Sequence, residues 1–252
     1  MIDVAPVKVA FITGGAVGFG RGFARALAAQ GWTVALADID GEAAGRTATA
    51  LKAEGLRSVA LACDVADDDQ VVAAVEEVVR RVGDVGILIN NAGKHLTKYN
   101  QPFGQLTIEE IRSVFEVNIL GIVRCSMACR ESMRQRGGGS IVNISSIAGY
   151  QPVSPYGVSK LAVRGLTIAL ASEFSADNIR VNAVAPGLTA TESAVADLPQ
   201  SLVDEFTTRR QLVHRVGQVD DVVSAVLYLC SDAANFVTGE TLKVSGGYPL
   251  AI

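Results

Sequence analysis

The sequence predicts a single α/β domain built on a doubly wound parallel sheet of about seven strands. Three observations carry this. Short apolar, β-branched runs alternate with longer stretches of helical period along the whole chain. Every strand carries an apolar run, as expected where helices cover both faces of a parallel sheet. No linker, low-complexity tract or internal repeat divides the 252 residues, a length that suits one such domain.

The elements follow in order. Lys8–Ile12 reads as a buried strand, followed by a glycine-rich turn and a helix over Arg21–Gln30. Strand Thr33–Ala37 and helix Glu42–Glu54 come next, then strand Val59–Ala62. Asp67, Asp68 and Asp69 stand where a helix N-terminus favours negative charge, ahead of a helix over Gln70–Val82. Strand Gly86–Asn90 leads to one long helix over Ile108–Arg136, which stops at three glycines before strand Ser140–Ile144. Helix Pro155–Phe174, strand Ile179–Ala183, helix Asp220–Leu229 and strand Glu240–Val244 complete a Rossmann-type series. Leu188–Gln218 is the least regular stretch and is expected to be a flap over a site.

Composition narrows the partners. The chain is 49% hydrophobic, and 22 basic against 26 acidic residues leave a net charge of −4 with no basic block. Neither nucleic acid nor an anionic membrane surface is expected as a partner. The longest apolar runs, such as Val226–Cys230, fall far short of the ~20 residues that span a bilayer. The first ten residues lack the basic and apolar regions of a secretory signal. Four cysteines without a CxxC pair make neither a disulfide framework nor a zinc site, so a cytoplasmic, reducing location is expected.

One end of the crevice suits a dinucleotide. The first turn reads Thr13-Gly14-Gly15-Ala16-Val17-Gly18-Phe19-Gly20, spaced G-x-x-x-G-x-G rather than G-x-G-x-x-G. Its glycines let backbone approach a pyrophosphate, and the helix that follows offers N–H groups to the charge. Asp38, followed by Ile39, closes the second strand; a carboxylate there accepts from ribose hydroxyls and repels a 2′-phosphate, which favours NAD(H) over NADP(H). Asp64, before Val65, is placed to accept from an adenine amino group or to cap the next helix. Asn90-Asn91-Ala92-Gly93 closes the fourth strand with small residues on which a flat ring can lie.

The other end suits proton transfer. Tyr156 and Lys160 stand at i and i+4 of a helix and share a face, where an ammonium lowers a phenol's pKa. Ser145 and Ser146 follow directly on a strand end.

Together these motifs resemble the short-chain dehydrogenase/reductase family, over essentially the whole length. Its T-G-x-x-x-G-x-G appears at Thr13–Gly20, its N-N-A-G at Asn90–Gly93 and its Y-x-x-x-K at Tyr156 and Lys160. Its asparagine matches Asn118, and its P-G motif falls at Pro186-Gly187, with Thr189 and Thr191 where the family contacts the carboxamide. The resemblance implies that Tyr156 is the general acid/base and that Ser146 polarises the substrate oxygen. It further implies that Lys160 binds the nicotinamide ribose and Asn118 holds a relay water. Ser146 is chosen over Ser145, which strand alternation points away. It stands ten positions before Tyr156 where the family usually has thirteen, so the Tyr150–Pro155 loop is three residues short.

Phe19, where the family often has Ile or Leu, is expected to pack beneath the nicotinamide or into the core. His95, Tyr150, Gln151 and Val153 are expected as pocket walls. The implied activity is NAD(H)-dependent interconversion of a secondary alcohol and a ketone. The alternatives are an NADPH-dependent 3-oxoacyl carrier-protein reductase and a non-catalytic NAD sensor. The N-terminal half is then the cofactor half and the C-terminal half the substrate half of one domain over 1–252. A homotetramer is implied, built on the helices near Ile108–Arg136 and Pro155–Phe174. Cys125 and Cys129 share a helix face but lack further ligands, so core thiols are expected and no metal. His214 reads as solvated surface, and the Arg209-Arg210 pair as either a partner for a carboxylate substrate or an exposed helix face.

Overall fold

The computed structural model describes residues 7–192 and 198–250. Seven parallel strands form one sheet in the order β3-β2-β1-β4-β5-β6-β7. They are β1 Val9–Thr13, β2 Thr33–Asp38, β3 Ser58–Ala62, β4 Val85–Asn90, β5 Gly139–Ile144, β6 Ile179–Pro186 and β7 Thr241–Val244. The connecting helices are α1 Gly18–Ala29, α2 Gly41–Ala53, α3 Asp68–Arg81, a short α4 Leu96–Tyr99, α5 Ile108–Phe115, α6 Gly121–Gln135 and α7 Pro155–Glu173. In the C-terminal part follow α8 Gln200–Glu205 and α9 Val219–Cys230. Consecutive strand residues feed opposite faces. Phe11 and Leu88 join Cys125, Cys129, Met133 and Phe174 on one side of the sheet, while Ile12 and Ile89 join Phe23, Leu27, Leu36 and Leu229 on the other. The expected doubly wound fold is thus present, with both faces sealed.

Strand order reverses between β1 and β4, so the connections leaving their carboxyl ends part in opposite directions and open a crevice there. Local signals fix the elements around it. The Asp67 side chain caps α3 by accepting from Gln70 N at 3.0 Å, and Thr107 and Glu110 form a capping box on α5.

Three boundaries differ from expectation in ways that matter for the site. The unbroken helix over Ile108–Arg136 is instead α5 and α6 joined by a π-helical turn, Glu116–Leu120. Asn118 in that turn is buried, and its amide binds the Lys94 backbone at both N (2.7 Å) and O (2.9 Å), so a long-range clamp overrides the regular helical register. Strand β6 runs on to Pro186 because β7 pairs with it up to Val244. The Leu188–Gln218 stretch contains α8 and a further π-helical turn, Phe206–Arg210. Its base is closed by a bridge between Thr189 and Gly217. Residues 193–197 of that stretch lie outside the described residues. Arg21 at the start of α1 reaches its near edge through an ion pair to Glu192 at 2.6 Å.

Among the described residues no helix is long and apolar enough to cross a membrane. Cys125 and Cys129 are fully buried, burial pushes the Cys129 thiol up to about 12, and no group of metal-ligating side chains occurs among the described residues. Leu120 and Met127 are exposed beside α6 and on it, and Leu161 and Ile168 on α7.

Candidate active site

A cavity of about 460 Å³ runs along the crevice from Asp38 and Asp64 at one end to Tyr156 and Lys160 at the other. The glycine turn forms its floor. Gly14 has φ +60°, and a Cβ there would stand 2.9 Å from Ala92 Cα. Gly18, at φ +53°, faces open space, which leaves its backbone free for a ligand. The turn is pinned to the end of β4 from several directions. Asn91 Nδ2 donates to Thr13 O and Gly14 O at 3.0 and 2.8 Å. Thr13 Oγ1 accepts from Asn91 N and Ala92 N, each at 3.0 Å. Phe19 lines the cavity and stacks on Phe23, centroids 6.0 Å apart.

Gly20 does not line the cavity. A Cβ on it would stand 2.0 Å from Gly14 O, so this glycine lets α1 close onto the turn instead of touching a ligand. Asp38 is held in place: Oδ2 accepts from Ala16 N at 3.0 Å and Oδ1 from Asp40 N at 3.1 Å. Both Asp38 and Ile39 face the cavity. Asp64 and Val65 do too, and the capping role left open for Asp64 belongs to Asp67.

At the far end the geometry comes from α7. Ser154 caps it, accepting from Gly157 N at 3.0 Å, with Pro155 in its first turn, so Tyr156 and Lys160 start a rigid helix. Tyr156 is hydrogen-bonded to Ser146; burial raises its pKa, and that hydrogen bond pulls it partly back. Lys160 is 6% exposed, donates through Nζ to Ile144 O at 2.7 Å, and lies 5.8 Å from the Tyr156 ring centroid. Burial drags its pKa down to about 8. The expected lowering of the phenol by this ammonium is therefore reversed here, because desolvation disfavours both charged forms. Ser145 donates its hydroxyl to Lys160 O at 2.8 Å and thereby supports the helix backbone.

The lysine's sign is open to test. Its charged form is penalised in the fold, so the unfolded chain binds more protons between about pH 8 and the ordinary 10.5. Stability should rise with pH across that window. Lys160→Met is expected to melt higher than the parent at pH 7, a gain on the order of 3 kcal/mol less about 1 kcal/mol for the lost bond to Ile144. The advantage should shrink towards pH 10; thermal melts at the two pH values check it, and a constant difference would refute the assignment.

Other expected site residues are sorted by the geometry. Val17, Gly93, Pro186, Gly187, Thr189, Thr191 and His95 line the cavity. Tyr150, Gln151 and Val153 do not: Tyr150 is stacked against Arg164 at 3.8 Å, Gln151 accepts from Tyr248, and Val153 is 80% exposed. The short loop is drawn away from the cavity, and that corrects their expected role as walls. Leu188 and Leu198 line that region instead. Asn118 lies behind the wall; its Nδ2 donates to Lys94 O at 2.9 Å and to Ser159 Oγ at 3.0 Å. Cys63, Val117 and Ile144 also face the cavity; all three adjoin residues the motifs mark, and position beside a motif was the available signal.

A glycine turn opening on a helix N-terminus, beside a strand-end carboxylate in a doubly wound sheet, defines a dinucleotide-binding class of α/β protein. The comparisons with known proteins give the family. A family model described as Enoyl-(Acyl carrier protein) reductase matches residues 14–249. The chain is 37% identical over 244 residues to the cis-4-hydroxycyclohexanecarboxylate dehydrogenase of Sinomonas cyclohexanicum, covering 96% of each chain. It superposes on a 7α-hydroxysteroid dehydrogenase complexed with NADH and 7-oxo glycochenodeoxycholic acid with a TM-score of 0.89, at 30% identity and 96% and 94% coverage. A gluconate 5-dehydrogenase from Burkholderia cenocepacia in complex with NADP and tartrate gives 0.90 at 34% identity, covering 98% of this chain and 97% of that one. The chain belongs to the short-chain dehydrogenase/reductase family of oxidoreductases.

Proposed function

We propose that the protein interconverts a secondary alcohol and a ketone with NAD(H). One observation carries the reading: Tyr156 faces the cavity beside Ser146 and is backed by Lys160, at the opposite end from the Asp38 carboxylate. The residues suit a dinucleotide laid along this crevice, because Gly18 leaves open space at the helix N-terminus and Gly14 admits backbone where a Cβ would collide. When bound, NAD⁺ supplies the acceptor for the hydride lost from the carbinol carbon.

The chain's own groups do the rest. Tyr156, as phenolate, takes the hydroxyl proton during oxidation, and as phenol returns one during reduction. Ser146 holds the substrate oxygen against Tyr156. Lys160 presents its ammonium behind the ring and towards a ribose hydroxyl. Asn118 is a positioning residue whose amide is spent on the Lys94 backbone and Ser159, so it fixes the Gly93–Lys94 wall. Asp38 accepts from the adenosine ribose and excludes a 2′-phosphate.

The first experiment follows reduced nicotinamide with NAD⁺ and NADP⁺ against secondary alcohols, hydroxy acids and hydroxysteroids. NADH formed with one structural class supports the reading; silence across the panel with NAD⁺ tightly bound supports an NAD sensor instead. Asp38→Ser should lower the NAD over NADP preference about ten-fold, the value of one charge-assisted hydrogen bond at ~1.4 kcal/mol. An unchanged ratio of the two kcat/KM values would remove Asp38 from the ribose role.

A further inference from the structure

Ser146 and Tyr156 stand at the two ends of a short loop, and the middle of that loop is gripped from outside. Gln151 Oε1 accepts from the Tyr248 hydroxyl at 3.1 Å. The Tyr248 ring meets Phe206 edge-on, 5.3 Å between centroids. Arg210 lies over both rings at 4.9 and 5.6 Å, and Glu205 holds its guanidinium at 2.6 Å. The chain before Tyr248 is itself seated, since Gly246 O accepts from Leu212 N and Val213 N at 2.7 and 3.0 Å. A Cβ on the cavity residue Gly187 would stand 2.7 Å from Ser245 Cα, so the tail runs directly behind the cavity wall.

The grip at Gln151 reaches both reacting ends. On one side Gly149 N donates to Ser146 O and Tyr150 N to Ile147 O, each at 3.0 Å, which makes the Ser146–Tyr150 turn rigid. On the other, a Cβ on Gly157 would lie 3.0 Å from Pro152 Cα, so the loop packs on the first turn of α7 next to Tyr156. Lys243 holds the neighbouring Tyr150 ring at 4.9 Å and donates to Pro249 O at 2.9 Å.

We propose that Tyr248 is a positioning residue: its hydroxyl fixes the loop that spaces Ser146 from Tyr156, and its ring seats the Phe206–Arg210 turn. The C-terminal tail thereby ties the wall around the substrate to the groups that move the proton. This rests on the reading of Ser146 and Tyr156 as the reacting pair.

Tyr248→Phe keeps the ring and removes the grip, and Gln151→Leu removes it from the other side. A neutral hydrogen bond is worth about 1 kcal/mol, or about five-fold. Amide exchange in Tyr248→Phe should therefore quicken about five-fold at both 147–153 and 206–213, with the strand amides unchanged. With the fastest alcohol of the panel, kcat should fall by about the same factor while the NAD⁺ dissociation constant stays fixed. The double variant should be no worse than either single one. Unchanged exchange at 147–153, an undiminished kcat, or losses that multiply in the double variant would each overturn the inference. A dead Tyr156→Phe enzyme beside a fully active Tyr248→Phe enzyme would overturn this inference alone. An active Tyr156→Phe enzyme would overturn the reading beneath it.

Discussion

Tyr156→Phe is expected to abolish turnover, by about 10²–10⁴-fold, and to leave NAD⁺ binding within a factor of about two. The substitution removes one oxygen from a site that burial has already made costly for charge. Its ring remains to fill the same space, so the fold and the glycine turn lose nothing. Steady-state kinetics and a cofactor titration on the two proteins check this, and full retained activity would refute the assignment. The parent's pH profile carries the same argument. Because burial raises the Tyr156 pKa, the phenolate needed for alcohol oxidation accumulates only as pH rises, and kcat/KM for oxidation should climb with pH. Ketone reduction needs the phenol and should decline over the same range. Opposite slopes in the parent and flat residual rates in the Phe variant are the expected pair.

Gly20→Ala should have the largest effect on the fold itself. The added Cβ would stand 2.0 Å from Gly14 O and 2.8 Å from Gly14 C, contacts that only movement of the backbone can relieve. Neither α1 nor the turn has anywhere to go, since Asn91 Nδ2, which holds Gly14 O at 2.8 Å, would itself stand 2.9 Å from the added Cβ. Overpacking of this kind costs roughly 1–3 kcal/mol and more when backbone must shift, which at this size lowers Tm by about 2–4 °C for each kcal/mol. Affinity for NAD⁺ should fall by at least about ten-fold, since the displaced N–H groups are those at the helix N-terminus. Differential scanning fluorimetry with and without NAD⁺ measures both effects, and an unshifted melt with normal binding would contradict the packing.

The sheet was readable because its strands carry unbroken apolar runs, as at Ile87–Ile89, and only coverage on both faces asks for that. The glycine turn, Asp38 and the Tyr156–Lys160 pair were readable because their spacing is short and local. What sequence did not reveal depends on contacts between distant segments. Nothing near Asn118 announces a π-helical turn; it arises because Lys94, 24 residues earlier, takes both ends of its amide. Tyr150, Gln151 and Val153 were placed by proximity to Ser146 along the chain, yet Tyr248, 97 residues after Gln151, holds that loop elsewhere. For Tyr156 the sequence displays the charge partner, Lys160, and not the burial that raises its pKa.

The strand order has a consequence for how the chain is made. β1 is made before both of its sheet neighbours and ends between β2 and β4. Until residues to about Asn90 have emerged, β1 to β3 can only assemble as a half-sheet whose open edge is Val9–Thr13, a strand that is wholly apolar except at its last residue. An open apolar edge of this kind pairs readily with other chains. Synthesis through α3 and into β4 is therefore the interval in which the nascent protein has most need of protection. Its closing step is the one that also creates the crevice.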